Sequence, residues 1–194
     1  MTKSQIVMFL FLVLFTMQNC APASDRNLPK ITFMHLPPIQ LEVTDIKVLS
    51  HDVEIFNPPD LRFRLPVTPK VALERWATDR LRIAGNSYRA RLTLVSATVT
   101  ESKLPVDGTI VGIFKQQASE KYSATIEATL EIIDNQGKSL ALAQSQAKQM
   151  QTVREDTSLS ERRRILFELV EILLKNFDDK MDDAIKRHLS KHLS

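Results

Sequence analysis

Residues Tyr122-Ser-Ala-Thr-Ile-Glu-Ala-Thr-Leu-Glu-Ile132 alternate apolar or small side chains with polar ones, without a break. Successive side chains of a β-strand point to opposite faces, so this period of two predicts a strand with one buried face and one wet face. A turn follows at 134–137, where Gly137 supplies the positive φ that a hairpin needs. Residues 139–153 then return as the next strand, with small side chains on one face: Ala141, Ala143, Ser145 and Ala147.

A long helix is predicted after this hairpin. Ser158 and Glu161 have the spacing of a capping box, in which the serine oxygen accepts from the first unpaired N–H groups. Apolar residues then recur every three or four positions to the end of the chain: Leu166, Leu169, Val170, Leu173, Phe177, Met181, Ile185 and Leu189. The pattern predicts an amphipathic helix of about 33 residues.

The same reasoning extends toward the start of the chain. Residues 87–100 alternate and predict a strand. Thr68-Pro69 opens a helix, because threonine caps the first turn and proline is tolerated at the first helical position. Gly85 is interpreted as its C-cap, and Trp76 as a core residue on its inner face.

Two further extended segments are predicted before this helix. Residues 39–48 alternate with one slip at Thr44-Asp45, which indicates a bulge in a single strand. Residues 61–65 also alternate and are expected to be extended until Pro66. We therefore expect one α+β domain over residues 39–194. The order β-α-β-β-β-α gives a four-stranded, mostly antiparallel sheet packed on two helices, with a parallel strand pair flanking the first helix.

The chain begins with the layout of an export signal. Lys3 precedes an apolar run from Ile6 to Phe15, which is shorter than the about 20 residues of a membrane span. Two processing sites are open. Cleavage after residue 19 leaves Cys20, the only cysteine, as a lipid attachment site, although Met17-Gln18-Asn19 match such sites poorly. Ordinary cleavage after Ala23 leaves a soluble periplasmic protein.

Either form places the protein in the cell envelope, facing the periplasm. Residues 20–38 are interpreted as anchor and tether. The net charge of +3 and the absence of a basic stripe with interleaved aromatics argue against nucleic acid as a partner. With one cysteine, no disulfide forms within the chain. No cofactor is predicted.

Candidate contact residues lie at two places. Arg162, Arg163 and Arg164 occupy the first turns of the long helix, where cations oppose the helix dipole, so a contact with an acidic partner or a lipid headgroup is a hypothesis. Phe114 belongs to an apolar connection over residues 106–114 that either packs under the sheet or contacts a partner or an acyl chain.

No catalytic or metal site is predicted. The chain has no nucleophile elbow, zinc-protease motif, dinucleotide fingerprint or P-loop. His188 and His192 are four residues apart but lack a third ligand. Asp178, Asp179, Asp182 and Asp183 are interpreted as a solvated helix face. The expectation is a protein that is not an enzyme.

The order of elements behind a lipoprotein-like leader resembles that of small envelope lipoproteins. These include the LPS-assembly lipoprotein LptE and the auxiliary lipoproteins of ABC-type transport systems. At the level of residues, 65–69, 76–85 and 153–162 look like a group of proteobacterial lipoproteins without an assigned activity. The residues before Cys20 depart from that group. The resemblance implies a lipid-anchored protein that binds an envelope protein or a lipid, as an auxiliary of envelope assembly or transport.

Overall fold

The computed structural model describes residues 28–50, 53–105 and 118–194. In these ranges the strands are β1 (Ile39–Leu41), β2 (Ile46–Leu49), β3 (Glu54–Asn57), β4 (Leu81–Ile83), β5 (Arg89–Lys103), β6 (Ala118–Ile133) and β7 (Ser139–Arg154). The α-helices are α1 (Leu61–Arg64), α2 (Pro69–Arg80) and α3 (Leu159–His188), and a 3₁₀ turn follows at Ser190–His192.

The main sheet has five strands. Its order is β2-β5-β6-β7, and β3 also pairs with β5, next to β2 on the same edge. β2 lies parallel to residues 90–93 of β5 and β3 lies parallel to residues 97–100, whereas β5-β6 and β6-β7 are antiparallel. The predicted α+β class, the parallel pair flanking the helix and the antiparallel hairpin are confirmed. Gly137 has φ +84° in the hairpin turn.

One face of the sheet carries the core. The inward side chains of β6 are fully buried, as the alternation predicts: Tyr122, Ala124, Ile126, Ala128, Leu130 and Ile132. The two long helices cover this face, α2 against β5 and α3 against β6 and β7. Trp76 of α2 packs against Phe177 of α3 in an edge-to-face arrangement, with the ring centroids 5.3 Å apart. Trp76 is thus a core residue, as expected.

The two predicted helix starts are confirmed. Thr68 Oγ1 accepts from the Val71 N–H at 3.5 Å, with Pro69 at the first helical position. Ser158 Oγ accepts from the Glu161 N–H at 3.2 Å. Each cap satisfies an N–H group that has no partner inside its helix.

The segment 39–48 is two strands and not one bulged strand. β1 pairs with β4 in a separate two-stranded sheet, whereas β2 belongs to the main sheet. The Val43 N–H donates to the Leu41 carbonyl at 2.8 Å, and Val43 is fully buried. This tight turn redirects the chain from one sheet to the other, because an i to i+2 bond reverses the backbone.

Residues 61–65 are also not extended. Leu61–Arg64 form one helical turn, which buries Leu61 and Leu65 and leaves Phe63 86% exposed. Residues four apart share a face of a helix, whereas residues two apart share a face of a strand. The burial pattern therefore follows the helix, and a run this short fits both periods.

Gly85 is not a helix cap, since α2 ends at Arg80 and β4 intervenes. A Cβ atom at Gly85 would lie 2.5 Å from the carbonyl carbon of Glu42, so only glycine fits this close approach of two backbones. The folded part also begins earlier than expected. Ile31 and Phe33, which we assigned to the tether, are buried in the core.

The last residues close the small sheet. Leu41 forms an antiparallel bridge to Leu193. The Glu42 N–H donates to the His192 carbonyl at 2.9 Å, and the Ser194 N–H donates to the Gln40 carbonyl at 3.2 Å. Leu193 and Ser194 therefore lie beyond the C-terminal end of α3, next to β1.

Candidate functional site

One end of the domain brings together α1, the first turns of α3 and the ends of β5 and β6. We call it the basic end, for the cations that line its two clefts. Arg64 of α1 pairs with Glu101 of β5, and Arg162 of α3 pairs with Glu120 of β6. These ion pairs attach both helices to the sheet ends.

The hydroxyl of Tyr122 lies at the centre of this network. It donates to Glu120 Oε2 at 2.8 Å and accepts from Arg162 Nη1 at 3.0 Å. Arg64 Nη1 lies 3.5 Å from the same oxygen. The tyrosine ring is fully buried, so its polar tip needs these partners. The network makes the floor of the basic end rigid.

A first cleft of about 370 Å³ lies between α1 and the start of α3. Its lining is apolar and cationic: Phe63, Arg64, Leu65, Pro66, Leu159, Arg162, Arg163 and Leu166. Phe63 is 86% exposed and Leu159 is 84% exposed. Two large apolar side chains thus stand in solvent at one opening.

A second cleft of about 270 Å³ adjoins the first and shares Pro66 and Arg163 with it. Its lining includes Leu28, Lys30 and Arg75. Among the described lining residues of both clefts there are five cations and no carboxylate. Because Leu28 lines this cleft, this part of the N-terminal segment lies at the basic end.

The three arginines predicted to contact a partner lie in different environments. Arg162 is held by Glu120 and Tyr122, with a side chain that is 18% exposed. Arg164 pairs with Glu161 and Glu168 along its own helix. Arg163 lines both clefts. Arg162 also lines the first cleft, whereas Arg164 lines neither. Their role in binding a partner stays a prediction.

Cys20 and Phe114, the other two predicted site residues, lie outside the described residues. Sequence reasoning missed Phe63 and Leu159. A signal was present in the sequence, because Leu159 precedes the first inward residue of α3 and Phe63 stands between two arginines. Phe63 was missed because residues 61–65 were interpreted as extended.

The opposite half of α3 is acidic. A cleft of about 480 Å³ is lined by Arg80, Lys186 and the four clustered aspartates. One of them, Asp178, is not solvated as we expected, because it is only 4% exposed. Its Oδ1 accepts from Trp76 Nε1 at 2.6 Å and from Arg80 Nε at 2.7 Å. Arg80 also pairs with Asp182 at 3.1 Å.

These partners explain why the aspartate is inside. A buried carboxylate is tolerated when it is paired and hydrogen-bonded. The carboxylate of Asp178 accepts hydrogen bonds from the indole N–H of Trp76 and from the guanidinium of Arg80. Asp178 is therefore a structural link between α2 and α3. Within the described residues, no group of three or more His, Cys, Asp or Glu side chains is arranged to hold a metal ion. In the same ranges, no helix combines the length and the apolar character needed to span a membrane.

The basic end has a titratable group whose pKa is strongly shifted. Burial raises the pKa of Tyr122 to about 12, and the negative charge of Glu101 adds to the rise. An unfolded tyrosine titrates near pH ~10, so the folded state holds this proton more tightly. The stabilisation is complete below that pH and is lost as the pH rises through the folded pKa.

We therefore expect the free energy of unfolding to fall by about 2 kcal/mol between pH ~10 and ~12 through this group. Urea unfolding at a series of pH values measures the fall. Tyr122→Phe is the control, because it removes the titrating group and should leave a shallower pH dependence. Equal slopes in both proteins would contradict the assignment.

Comparisons with known proteins give fold neighbours only. No protein-family model matches the chain, and no curated protein matches it. Among solved structures, rare lipoprotein B from Shewanella oneidensis is similar at 14% identity and a TM-score of 0.38, over 74% of this chain and 96% of that chain. A minor lipoprotein from Acinetobacter baumannii is similar at 13% identity and a TM-score of 0.33, over 72% and 93%. At these values neither likeness bears on function.

Proposed function

We propose that this protein is a non-enzymatic lipoprotein of the cell envelope. Its anchor is an acylated Cys20, its domain faces the periplasm, and its basic end binds a protein or lipid partner in a role auxiliary to envelope assembly or transport. The leader, the position of the single cysteine after it and the exposed clefts of the domain support this function together.

The observation that carries the proposal is the position of Leu28, close in sequence to Cys20. Leu28 lines the second cleft, next to Arg163 and Pro66. Cys20 precedes it by only eight residues. Eight residues reach at most about 29 Å when fully extended. An anchor at Cys20 therefore keeps the clefts of the basic end near the membrane that holds the lipid.

A soluble periplasmic protein that binds a small ligand is the second candidate. The cleft of about 480 Å³ beside Arg80 favours it, since ligand sites commonly have this size. This form would start at Ser24, after cleavage behind Ala23.

The anchor is tested by Cys20→Ala in the full chain, expressed in a Gram-negative host. Several acyl chains on one cysteine make membrane attachment stable, because each buried CH₂ contributes about 0.8 kcal/mol. We expect the wild-type protein to sediment with membranes and most of the Cys20→Ala protein to be lost from them. Fractionation with immunoblotting measures the distribution.

Asn27→Ala is the matched control, because it follows both candidate cleavage sites and leaves Cys20 and the residues before it unchanged. Mass spectrometry of the mature N-terminus supplies the second readout, a diacylglyceryl group on Cys20. If the mature protein instead begins with unmodified Ser24, the anchored form is contradicted and the soluble periplasmic form is supported.

A further inference from the structure

We propose that the basic end docks on an anionic phospholipid surface, with Phe63 and Leu159 inserted among the lipid headgroups. The inference names the partner of the basic end and so rests on the proposed function. It also sets an orientation: α3 stands away from the bilayer, and the acidic cleft faces the periplasm.

The apolar side chains are the first step. Single exposed apolar residues are normal on protein surfaces. Among the residues that the structure describes, however, two of the three most exposed large apolar side chains, Phe63 and Leu159, line the same cleft. They sit on different elements, α1 and α3, which the pairs Arg64–Glu101 and Arg162–Glu120 attach to the sheet. The two apolar side chains are therefore presented together at one opening.

The cations around them are the second step. Arg62 is exposed beside Phe63, Arg163 lies at the shared wall of the two clefts, and Lys30 and Arg75 line the second cleft. Long basic side chains extend beyond an apolar contact to reach phosphate groups. Anionic lipids attract such residues when they come within a Debye length. No carboxylate is among the described lining residues, but Asp60 and Glu101 pair with Arg64 and Glu120 pairs with Arg162. The attraction therefore comes mainly from Arg62, Lys30 and Arg75.

The charge at the other end of α3 is the third step. Asp183 lies twenty residues after Arg163, which is about 30 Å along a helix axis. A negative surface therefore attracts the basic end and repels the acidic cleft. Charge complementarity and the position of Leu28, eight residues after Cys20, point to the same end, so the tether and the docking surface act together.

Hydrogen exchange on the mature protein tests the docking. The probes are vesicles of phosphatidylglycerol and phosphatidylethanolamine in equal parts, and vesicles of phosphatidylcholine alone. We expect amides of residues 61–65 and 159–165 to exchange more slowly on the anionic vesicles only. The protection should decrease as salt is added, because salt screens the attraction.

Phe63→Ser with Leu159→Ser should abolish this protection. The matched control is Met34→Ser with Ile83→Ser, because Met34 is 76% exposed and Ile83 is 54% exposed outside the basic end. The control should keep the protection. All four side chains are largely in solvent, so neither double variant removes core packing.

The outcomes separate docking from anchoring. An acylated Cys20 without protection at the basic end on anionic vesicles would overturn the docking and keep the anchor. An unmodified Cys20 with protection would keep the docking and overturn the anchor. Protection that needs a co-purified protein, and is absent on vesicles alone, would overturn the lipid surface in favour of a protein partner.

Discussion

Replacing Asp178 by alanine is expected to cost about 3–5 kcal/mol of stability, because it leaves the guanidinium of Arg80 buried with one carboxylate fewer. Arg80 is 4% exposed and would keep only Asp182 and the Pro37 carbonyl. Trp76 Nε1, which donates to Asp178 at 2.6 Å, would also lose its acceptor. Urea unfolding followed by circular dichroism measures the loss.

Two variants make this test specific. Asp179→Ala changes the exposed neighbour and should stay within about 0.5 kcal/mol of the wild type. Arg80→Met combined with Asp178→Leu removes both charges and should recover part of the loss, since apolar pairs often replace buried ion pairs without cost. A loss below about 1 kcal/mol for Asp178→Ala would mean that the pair does not hold α2 against α3.

Replacing Phe177 by alanine is the second large effect, with an expected cost of about 3–5 kcal/mol. The ring is fully buried and meets Trp76 edge to face at 5.3 Å, so its removal leaves a cavity between the two helices and the sheet. For a domain of this size the melting temperature should fall by roughly 10 °C. Denaturant and thermal unfolding provide independent values.

Phe63→Ala is the matched control, since it removes the same side chain from a site that is 86% exposed. We expect a change within about 0.5 kcal/mol. A large loss at Phe63 would contradict its exposure. A small loss of stability would indicate that the phenylalanine at this position serves a surface contact and does not contribute to folding.

The elements that sequence predicts well are those whose pattern is long. Over residues 122–132 the alternation leaves one interpretation, and in α3 the apolar period continues for most of the helix. The short segments 39–48 and 61–65 fit more than one structure, because a few residues cannot separate the two periods. Tertiary contacts determine the structure of these segments. The turn at Val43 directs the chain from β1 into the main sheet, and the burial of Leu61 and Leu65 favours a helical turn.

The sequence contains a signal for the buried ion pair between Arg80 and Asp178. Asp178 lies four residues after Leu174 and three before Met181, so it belongs to the inner face of α3. Arg80 recurs with Trp76 on the inner face of α2. Two opposite charges on two inner faces indicate a pair, but only the tertiary structure shows that the faces meet. The clefts of the basic end also depend on tertiary packing, so the sequence shows their exposed residues but not that these residues meet.

The bridge between Leu41 and Leu193 has a consequence for the order of folding. Leu41 and Leu193 lie near opposite ends of the described sequence, so closing this bridge encloses most of the described domain in one loop. Contacts between distant parts of a chain form slowly. We therefore expect the bridge, and with it the small sheet, to be completed late in folding.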